Sequence, residues 1–110
     1  MLIIIKPSDK KNHKNSVDWL LKECNKRQIE PELYLTTGKF ENDCADIALL
    51  AKNQTQVVVI GGDGTLHLAV NALMTSRCSI ALIPAGTGND FARGFACQQQ
   101  AWYEAIFNSR

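Results

Sequence analysis

The sequence has no strong charge of either sign, few aromatic residues and no long hydrophobic run. Its 110 residues carry 12 lysines and arginines against 11 acids, so the formal net charge is +1. A nearly neutral chain gives no reason to expect long-range attraction to nucleic acid. No apolar run approaches the roughly 20 residues that a membrane-spanning helix needs, and the short run Leu2 to Ile5 does not resemble a secretion signal. We therefore expect a cytoplasmic protein without a nucleic-acid partner.

Several familiar site patterns are also missing. The four cysteines contain no CxxC pair, which disfavours a zinc or thioredoxin-type site. The P-loop pattern GxxxxGK[ST] is absent. The dinucleotide pattern GxGxxG fails twice, because His67 and Phe91 stand where its third glycine belongs. A Rossmann dehydrogenase is therefore disfavoured.

The apolar pattern predicts alternating strands and helices. Apolar residues form 45% of the chain, which is enough for a packed core. The predicted strands are Leu2–Ile5, Glu32–Thr37, Gln56–Ile60 and Ser79–Ile83. The predicted helices are Ser16–Gln28, Asp43–Asn53 and Thr65–Ser76, followed by a helical turn from Asn89 or Asp90 and an amphipathic segment Ala101–Phe107. This order predicts one α/β domain, a three-layer fold with helices on both faces of a parallel sheet.

The helix boundaries and inward faces follow from spacing and caps. Ser16 is the expected N-cap of the first helix. The third helix is expected to bury a stripe formed by Leu66, Ala69, Val70 and Leu73.

Two glycine clusters follow the third and fourth predicted strands. Gly61, Gly62 and Gly64 form the first, and Gly86 and Gly88 form the second. Ligands of open parallel sheets bind beyond the carboxyl ends of the strands, which is where both clusters fall. Backbone without Cβ atoms can lie close to a ligand, and the N-terminus of the next helix attracts anions. The clusters therefore predict a site for a phosphate chain.

Asp63 lies within the first glycine cluster. A carboxylate beside phosphate requires a reason, and magnesium supplies one because it commonly binds one or two carboxylates plus substrate phosphates. Alternatively, Asp63 accepts the proton of an attacking hydroxyl. Both roles indicate phosphoryl transfer, whereas a helix-cap role would need neither. Asp90 has the same alternatives, with capping equally favoured.

The segments GGDGT, from Gly61 to Thr65, and PAGTGNDFAR, from Pro84 to Arg93, resemble the diacylglycerol kinase catalytic domain family. That family includes bacterial diacylglycerol kinases and sphingosine kinases, and it shares the GGDGT-type loop with NAD kinases and phosphofructokinases. The resemblance spans essentially the whole chain. It implies the N-terminal domain of a phosphofructokinase/NAD kinase-like fold.

The resemblance also implies a function in lipid metabolism and phospholipid biosynthesis. ATP would donate its γ-phosphoryl group to a lipid hydroxyl such as that of diacylglycerol, with Asp63 at the magnesium and phosphoryl-transfer centre. Thr36 or Thr37 would contact ATP, and so would Thr87. The full set of expected nucleotide-binding residues is Ser8, Thr36, Thr37, Gly61, Gly62, Gly64, Thr65, Gly86, Thr87, Gly88, Asn89 and Asp90.

The sequence departs from the family pattern at two loops. The family usually has Asn-Pro-x-Ser-Gly after the first strand, whereas this chain has Lys6-Pro7-Ser8-Asp9. A lysine is able to replace the asparagine as a point charge for phosphate. After GGDGTL the family often has Asn and Glu, but here they are His67 and Leu68, and leucine cannot replace a carboxylate.

A second, β-rich domain completes the cleft in family enzymes, and we expect residues 1–110 to be the nucleotide-binding domain without it. Such a domain alone is expected to be an incomplete kinase, to expose apolar surface and to self-associate. Peripheral contact with the inner membrane face is expected through the second domain. The alternatives are a non-catalytic nucleotide-binding or interaction module and a relative of NAD kinase.

Overall fold

Four strands and three helices alternate along the chain. A computed structural model describes residues 1–84 and 106–107, apart from the side chain of Asn12. The strands are β1 (Leu2–Ile5), β2 (Glu32–Leu35), β3 (Gln56–Gly61) and β4 (Ser79–Pro84). The helices are α1 (Lys11–Lys26), α2 (Phe40–Leu50) and α3 (Asp63–Ala72), and a 3₁₀ turn, Ala51–Asn53, follows α2.

The strands form one parallel sheet in the order β2-β1-β3-β4. Ile5 pairs with both Leu35 and Ile60, and Gly61 pairs with Pro84, so these strands end at one edge. From β1 the chain continues to the β2 side, whereas from β3 it continues to the β4 side. The order therefore reverses between β1 and β3, and a crevice opens at such a reversal.

Alternating side chains of the two central strands supply both layers of the core. Ile3, Ile5, Val58 and Ile60 pack with α1, against Leu20 and Cys24 and also Ile106. On the opposite face, Leu2, Ile4, Val57 and Val59 pack with α2 and α3, against Ile47, Ala51, Leu68, Ala69 and Leu73. Because β1 and β3 are covered on both faces, their sequences are continuous apolar runs. The predicted α/β fold with helices on both faces is confirmed.

Helix α1 begins five residues before the predicted cap. Its first residue is Lys11, so the prediction that Ser16 starts the helix is wrong; Ser16 is fully buried inside it. The helix ends where Gln28 adopts a left-handed conformation with φ 57°. There the amide of Ile29 donates to the carbonyl of Cys24 and that of Gln28 to Asn25, which closes the helix in a Schellman motif.

The other boundaries shift by a few residues. Helix α2 begins at Phe40 rather than Asp43, and α3 runs Asp63–Ala72 rather than Thr65–Ser76. Strand β2 stops at Leu35, two residues before its predicted end, so Thr36 and Thr37 belong to the following turn. On α3 the expected burial of Val70 is wrong, because it is 47% exposed and Leu68 is buried instead.

Part of the predicted site lies outside the described residues. The predicted site residues that lie outside are those of the second glycine cluster and its neighbours: Gly86, Thr87, Gly88, Asn89 and Asp90. The helical turn predicted there also lies outside, as does most of the segment Ala101–Phe107. Of that segment, Ile106 is buried against the α1 face of the sheet, and its carbonyl accepts a hydrogen bond from the Gln56 side chain. Pro84, next to Gly61, is the last described residue before the second cluster.

Within the described part of the chain, every helix is too short or too polar to cross a bilayer.

Candidate functional site

A cavity lies at the carboxyl ends of β1 and β2, against the start of α3. Its volume is about 210 Å³. The lining residues come from the connections after β1 and β2 and from helices α2 and α3: Lys6, Thr36, Gly38, Phe40, Gly64, Thr65 and Leu68. This is the edge at which the topology predicts a ligand. Gly64 of the first glycine cluster and the turn after β2 therefore line one cavity. The predicted closeness of the two glycine clusters involves residues outside the described part of the chain.

The junction between β3 and α3 is tightly packed. A Cβ atom on Gly61 would lie 2.6 Å from Thr65 Oγ1 and 2.8 Å from Thr65 Cβ. Gly61 is therefore required for packing, which allows the helix to start one residue after the strand. Gly62 is the N-cap, and its carbonyl accepts from the Leu66 amide at 3.0 Å.

The start of α3 presents backbone amides beside this cavity. The first turn of a helix leaves N–H groups without intrahelical partners, and the helix dipole adds a partial positive charge there. Gly64, in that turn, lines the cavity and is exposed, and a Cβ on it would meet open space. The arrangement suits an anion approaching the backbone closely.

Lys6 gives the cavity a side-chain cation. It follows β1 directly, and its amide donates to the carbonyl of Ile60 at 3.1 Å, which continues the sheet register by one residue. Its side chain is exposed and lines the same cavity as Gly64 and Thr65. The family asparagine is thus replaced by a charge at the edge where an anion would bind.

Asp63 is exposed in the first turn of α3, immediately before Gly64. It is not among the residues that line the cavity, although it directly precedes Gly64, which lines it. Within the described ranges, no three His, Cys, Asp or Glu side chains cluster to hold a metal. A single exposed carboxylate nevertheless fits magnesium, because that ion keeps several waters and takes its other ligands from substrate phosphates.

The turn between β2 and α2 distinguishes the two threonines that the sequence left as alternatives. Thr36 lines the cavity, and its amide donates to the carbonyl of Ile5 at 3.0 Å. Thr37 does not line it. The Thr37 amide lies 3.1 Å from both carboxylate oxygens of Asp43, and the Thr37 hydroxyl donates to Asp43 Oδ1 at 2.8 Å.

Asp43 is a residue that the sequence analysis missed. It is 1% exposed on the inner side of α2 and also accepts a hydrogen bond from the Tyr34 hydroxyl at 2.7 Å. Its spacing contained a signal, since it stands four residues before Ile47 and eight before Ala51, both buried. An acid on the buried stripe of a helix requires polar partners.

Hydrogen bonding decides the ionisation of this cluster. Burial opposes the charged form of Asp43, but the bonds from Tyr34, from Thr37 and from the backbone of Thr37 and Gly38 outweigh it and lower the pKa of Asp43. Burial and the adjacent carboxylates of Asp43 and Asp46 raise the pKa of Tyr34. Asp43 is therefore a carboxylate and Tyr34 a neutral donor at neutral pH.

Ser8 lies away from this cavity. Its hydroxyl accepts from the Lys10 amide at 3.1 Å, in the turn that leads into α1. It lines a separate cavity of about 430 Å³ between α1 and the edge strand β2, where Leu33 and Leu35 form part of the wall. The structure therefore does not bring Ser8 together with Thr36 and Thr65.

Comparison with solved structures identifies the class of fold. A crystal structure described as a diacylglycerol kinase from Bacillus anthracis superposes on 94% of this chain with a TM-score of 0.62 and 25% sequence identity. The superposed region is 39% of that protein. The fold is thus that of the diacylglycerol kinases, as the resemblance of the segments GGDGT and PAGTGNDFAR predicted.

Sequence comparison then gives the family. Residues 1–108 match the family described as Diacylglycerol kinase catalytic domain, and the chain belongs to that family. YtlR from Bacillus subtilis, whose name describes it as a lipid kinase, is 37% identical to this chain over 82 residues, or 71% of the chain. A diacylglycerol kinase from Staphylococcus carnosus is 33% identical over 94 residues, or 83% of the chain.

The matched region covers only part of these relatives. It spans 26% of YtlR and 31% of the Staphylococcus carnosus enzyme. The activity of a whole kinase therefore does not transfer directly to residues 1–110.

Proposed function

We propose that this chain forms the nucleotide-binding domain of a lipid kinase, in which the phosphates of ATP occupy the cavity between Lys6, Thr36 and the start of α3. The observation that carries the proposal is this cavity, which combines a cation, helix-terminal amides and hydroxyl groups at the point where the strand order reverses. Membership of the diacylglycerol kinase catalytic domain family supports a lipid hydroxyl as the acceptor.

Each wall of the cavity has a chemical task in this proposal. Lys6 provides a point charge for a phosphate oxygen, and the amides of the first turn of α3 donate hydrogen bonds to the phosphate chain. The hydroxyls of Thr36 and Thr65 supply further donors. Because phosphoryl transfer depends mainly on positioning and charge stabilisation, such a cradle is the expected contribution of this domain.

Asp63, which directly precedes Gly64 in the first turn of α3, would hold magnesium through its carboxylate. Magnesium, when bound, neutralises charge on the phosphates during transfer. Without that ion, a carboxylate so close to the phosphates would repel them. Asp63 therefore helps binding only when the metal is present.

The proposed reaction is an in-line displacement. The lipid hydroxyl oxygen forms a bond to the γ-phosphorus, the bond from that phosphorus to the β–γ bridging oxygen breaks, and ADP leaves while the hydroxyl proton is released. The described residues supply the donor side of this reaction. The acceptor side requires groups beyond them, and a second, β-rich domain is proposed to provide those groups.

Isothermal titration of the chain with ATP tests the proposal. In magnesium we expect binding in the micromolar range, weakened at least fivefold by Lys6→Met because a phosphate contact is lost. Lys10→Met is the matched control: Lys10 is an exposed lysine four residues later that does not line the cavity, and its loss should leave the affinity unchanged.

A variant at Asp63 tests the assignment to magnesium by comparing ATP binding with and without the metal. Asp63→Ala should weaken binding in magnesium but not in EDTA, where removal of a negative charge leaves the affinity equal or higher. If the wild-type chain binds no ATP in either buffer, the proposal fails. Equal weakening of ATP binding in both buffers would contradict the assignment of Asp63 to the metal.

A non-catalytic nucleotide-binding module is the second candidate. One observation favours it: Leu68, 6% exposed, forms an apolar wall of the cavity at a position where the family often has a carboxylate. Nucleotide binding that persists while a longer chain containing this domain transfers no phosphate to diacylglycerol would favour this candidate.

A further inference from the structure

We propose that Asp43 is a positioning residue, which fixes the turn between β2 and α2 so that Thr36, and not Thr37, contacts the bound nucleotide. This inference rests on the proposed nucleotide site. It names a residue outside the cavity lining and chooses between two threonines that the sequence could not distinguish.

The first step is the pattern of bonds around Asp43. Its carboxylate accepts from the Thr37 amide, from the Thr37 hydroxyl and from the Tyr34 hydroxyl. These groups come from the end of β2 and from the turn, whereas Asp43 itself belongs to α2. The buried carboxylate therefore joins the strand, the turn and the helix at a single point.

The second step concerns what remains for a ligand. The Thr37 hydroxyl donates to Asp43 and accepts from the Lys39 amide at 3.2 Å, so its donor and one of its acceptor sites are in use. Thr36, one residue earlier, lines the cavity with Gly38. A ligand would therefore meet Thr36 while Thr37 stays engaged with Asp43.

The third step is the cost of a loose turn. A flexible turn must be ordered when the ligand binds, and that entropy reduces the affinity. A buried carboxylate whose hydrogen bonds are charge-assisted holds the turn in place beforehand. Asp43 thus contributes to affinity without touching the nucleotide.

Asp43→Asn tests the inference, and Asp46→Asn is its matched control. Asp46 lies on the same helix and also accepts from the Tyr34 hydroxyl, at 3.0 Å, but it makes no bond to the turn. We expect Asp43→Asn to weaken magnesium–ATP binding about tenfold and to speed hydrogen exchange of the Thr37 amide. Asp46→Asn should change the affinity less than twofold and leave that exchange slow.

Thr36→Val and Thr37→Val test directly which threonine contacts the nucleotide. They also keep the inference testable if Asp43→Asn does not fold. Thr36→Val should lower affinity at least fivefold while the Thr37 amide stays protected, whereas Thr37→Val, which keeps the amide bond to Asp43, should lower it less. A larger loss from Thr37→Val than from Thr36→Val overturns the inference. So does unchanged affinity in Asp43→Asn when its Thr37 amide exchanges fast. If the wild-type chain binds no ATP, the proposed function itself fails, which is a different result.

Discussion

Single residues in this domain owe their roles to hydrogen-bond partners more than to residue type. Asp63 and Asp43 are both acids near the same edge of the sheet, yet Asp63 is exposed and Asp43 is 1% exposed with a bonded carboxylate. The first is able to meet a metal or ligand, and the second orders backbone. His13 is a third case, because it is 3% exposed and neither ring nitrogen has a hydrogen-bond partner among the described residues.

The buried histidine predicts a pH dependence of stability. Burial lowers the pKa of His13 below 6.5, and the nearby Lys6 backbone offsets this only in part. The unfolded chain therefore takes up a proton that the folded chain resists, so stability is fully present above about pH 6.5 and falls as the pH drops through the lower folded value. His13→Phe should remove this fall.

Urea unfolding between pH 7.5 and 5 measures the effect. His67→Gln, which changes the other histidine of the chain at an exposed site, should keep the fall. Titration of Asp43 does not overlap with this pH range, because its pKa is lowered from an ordinary value of 3.8. Its contribution to the free energy of unfolding is lost only at more acidic pH. The same fall in wild type and His13→Phe would show that His13 is not responsible.

At the scale of elements, the closeness of β3 and α3 determines the site. Only one residue, Gly62, separates the end of the strand from the first residue of the helix. The helix N-terminus is thereby held against the sheet edge beside Lys6, which an ordinary side chain at Gly61 would prevent.

Gly61→Ala tests this junction. The added Cβ would clash with Thr65, whose own Cβ cannot move without shifting the helix, so we expect the free energy of unfolding to fall by about 1–3 kcal/mol. Gly64→Ala lies inside the first turn of α3 and meets open space, so it should leave the free energy of unfolding unchanged or raise it by up to about 1 kcal/mol. Chemical denaturation of both variants gives the comparison. Equal stability of the two would mean that the junction is less tightly packed than the structure indicates.

The element boundaries show where sequence reasoning was limited. Strands β1 and β3 were predictable because continuous apolar runs identify buried parallel strands, and β2 because its residues alternate and favour strands. The starts of α1 and α2 were not, since polar and charged residues precede both apolar stripes and tertiary packing extended the helices into them. Ser16 is a good cap by residue type, but its site inside α1 is fully buried.

At the scale of the whole molecule, apolar side chains remain exposed. Leu33 and Leu35 are 47% and 58% exposed on β2, which is an edge strand in the described sheet. Met74, two residues after the end of α3, is 72% exposed. An apolar edge strand combines unpaired backbone groups with hydrophobic surface, a combination that promotes association.

We therefore predict concentration-dependent self-association through β2. Sedimentation velocity should show an average mass that rises above that of the monomer with concentration. Leu33→Thr combined with Leu35→Thr should shift the distribution towards monomer, because threonine keeps strand propensity without the apolar surface. Met74→Lys should have little effect. A single monomer species at every concentration would contradict the prediction.

The α/β class, the family and the sheet edge at which the cavity lies could be read from the sequence. Strand–helix alternation and glycine placement are local properties, readable from residue spacing. Tertiary structure alone decided that Thr36 faces the cavity while Thr37 binds Asp43, that Ser8 lies elsewhere and that Lys6 joins the start of α3. These outcomes depend on which distant groups share a pocket, and only the packed sheet and helices fix those distances.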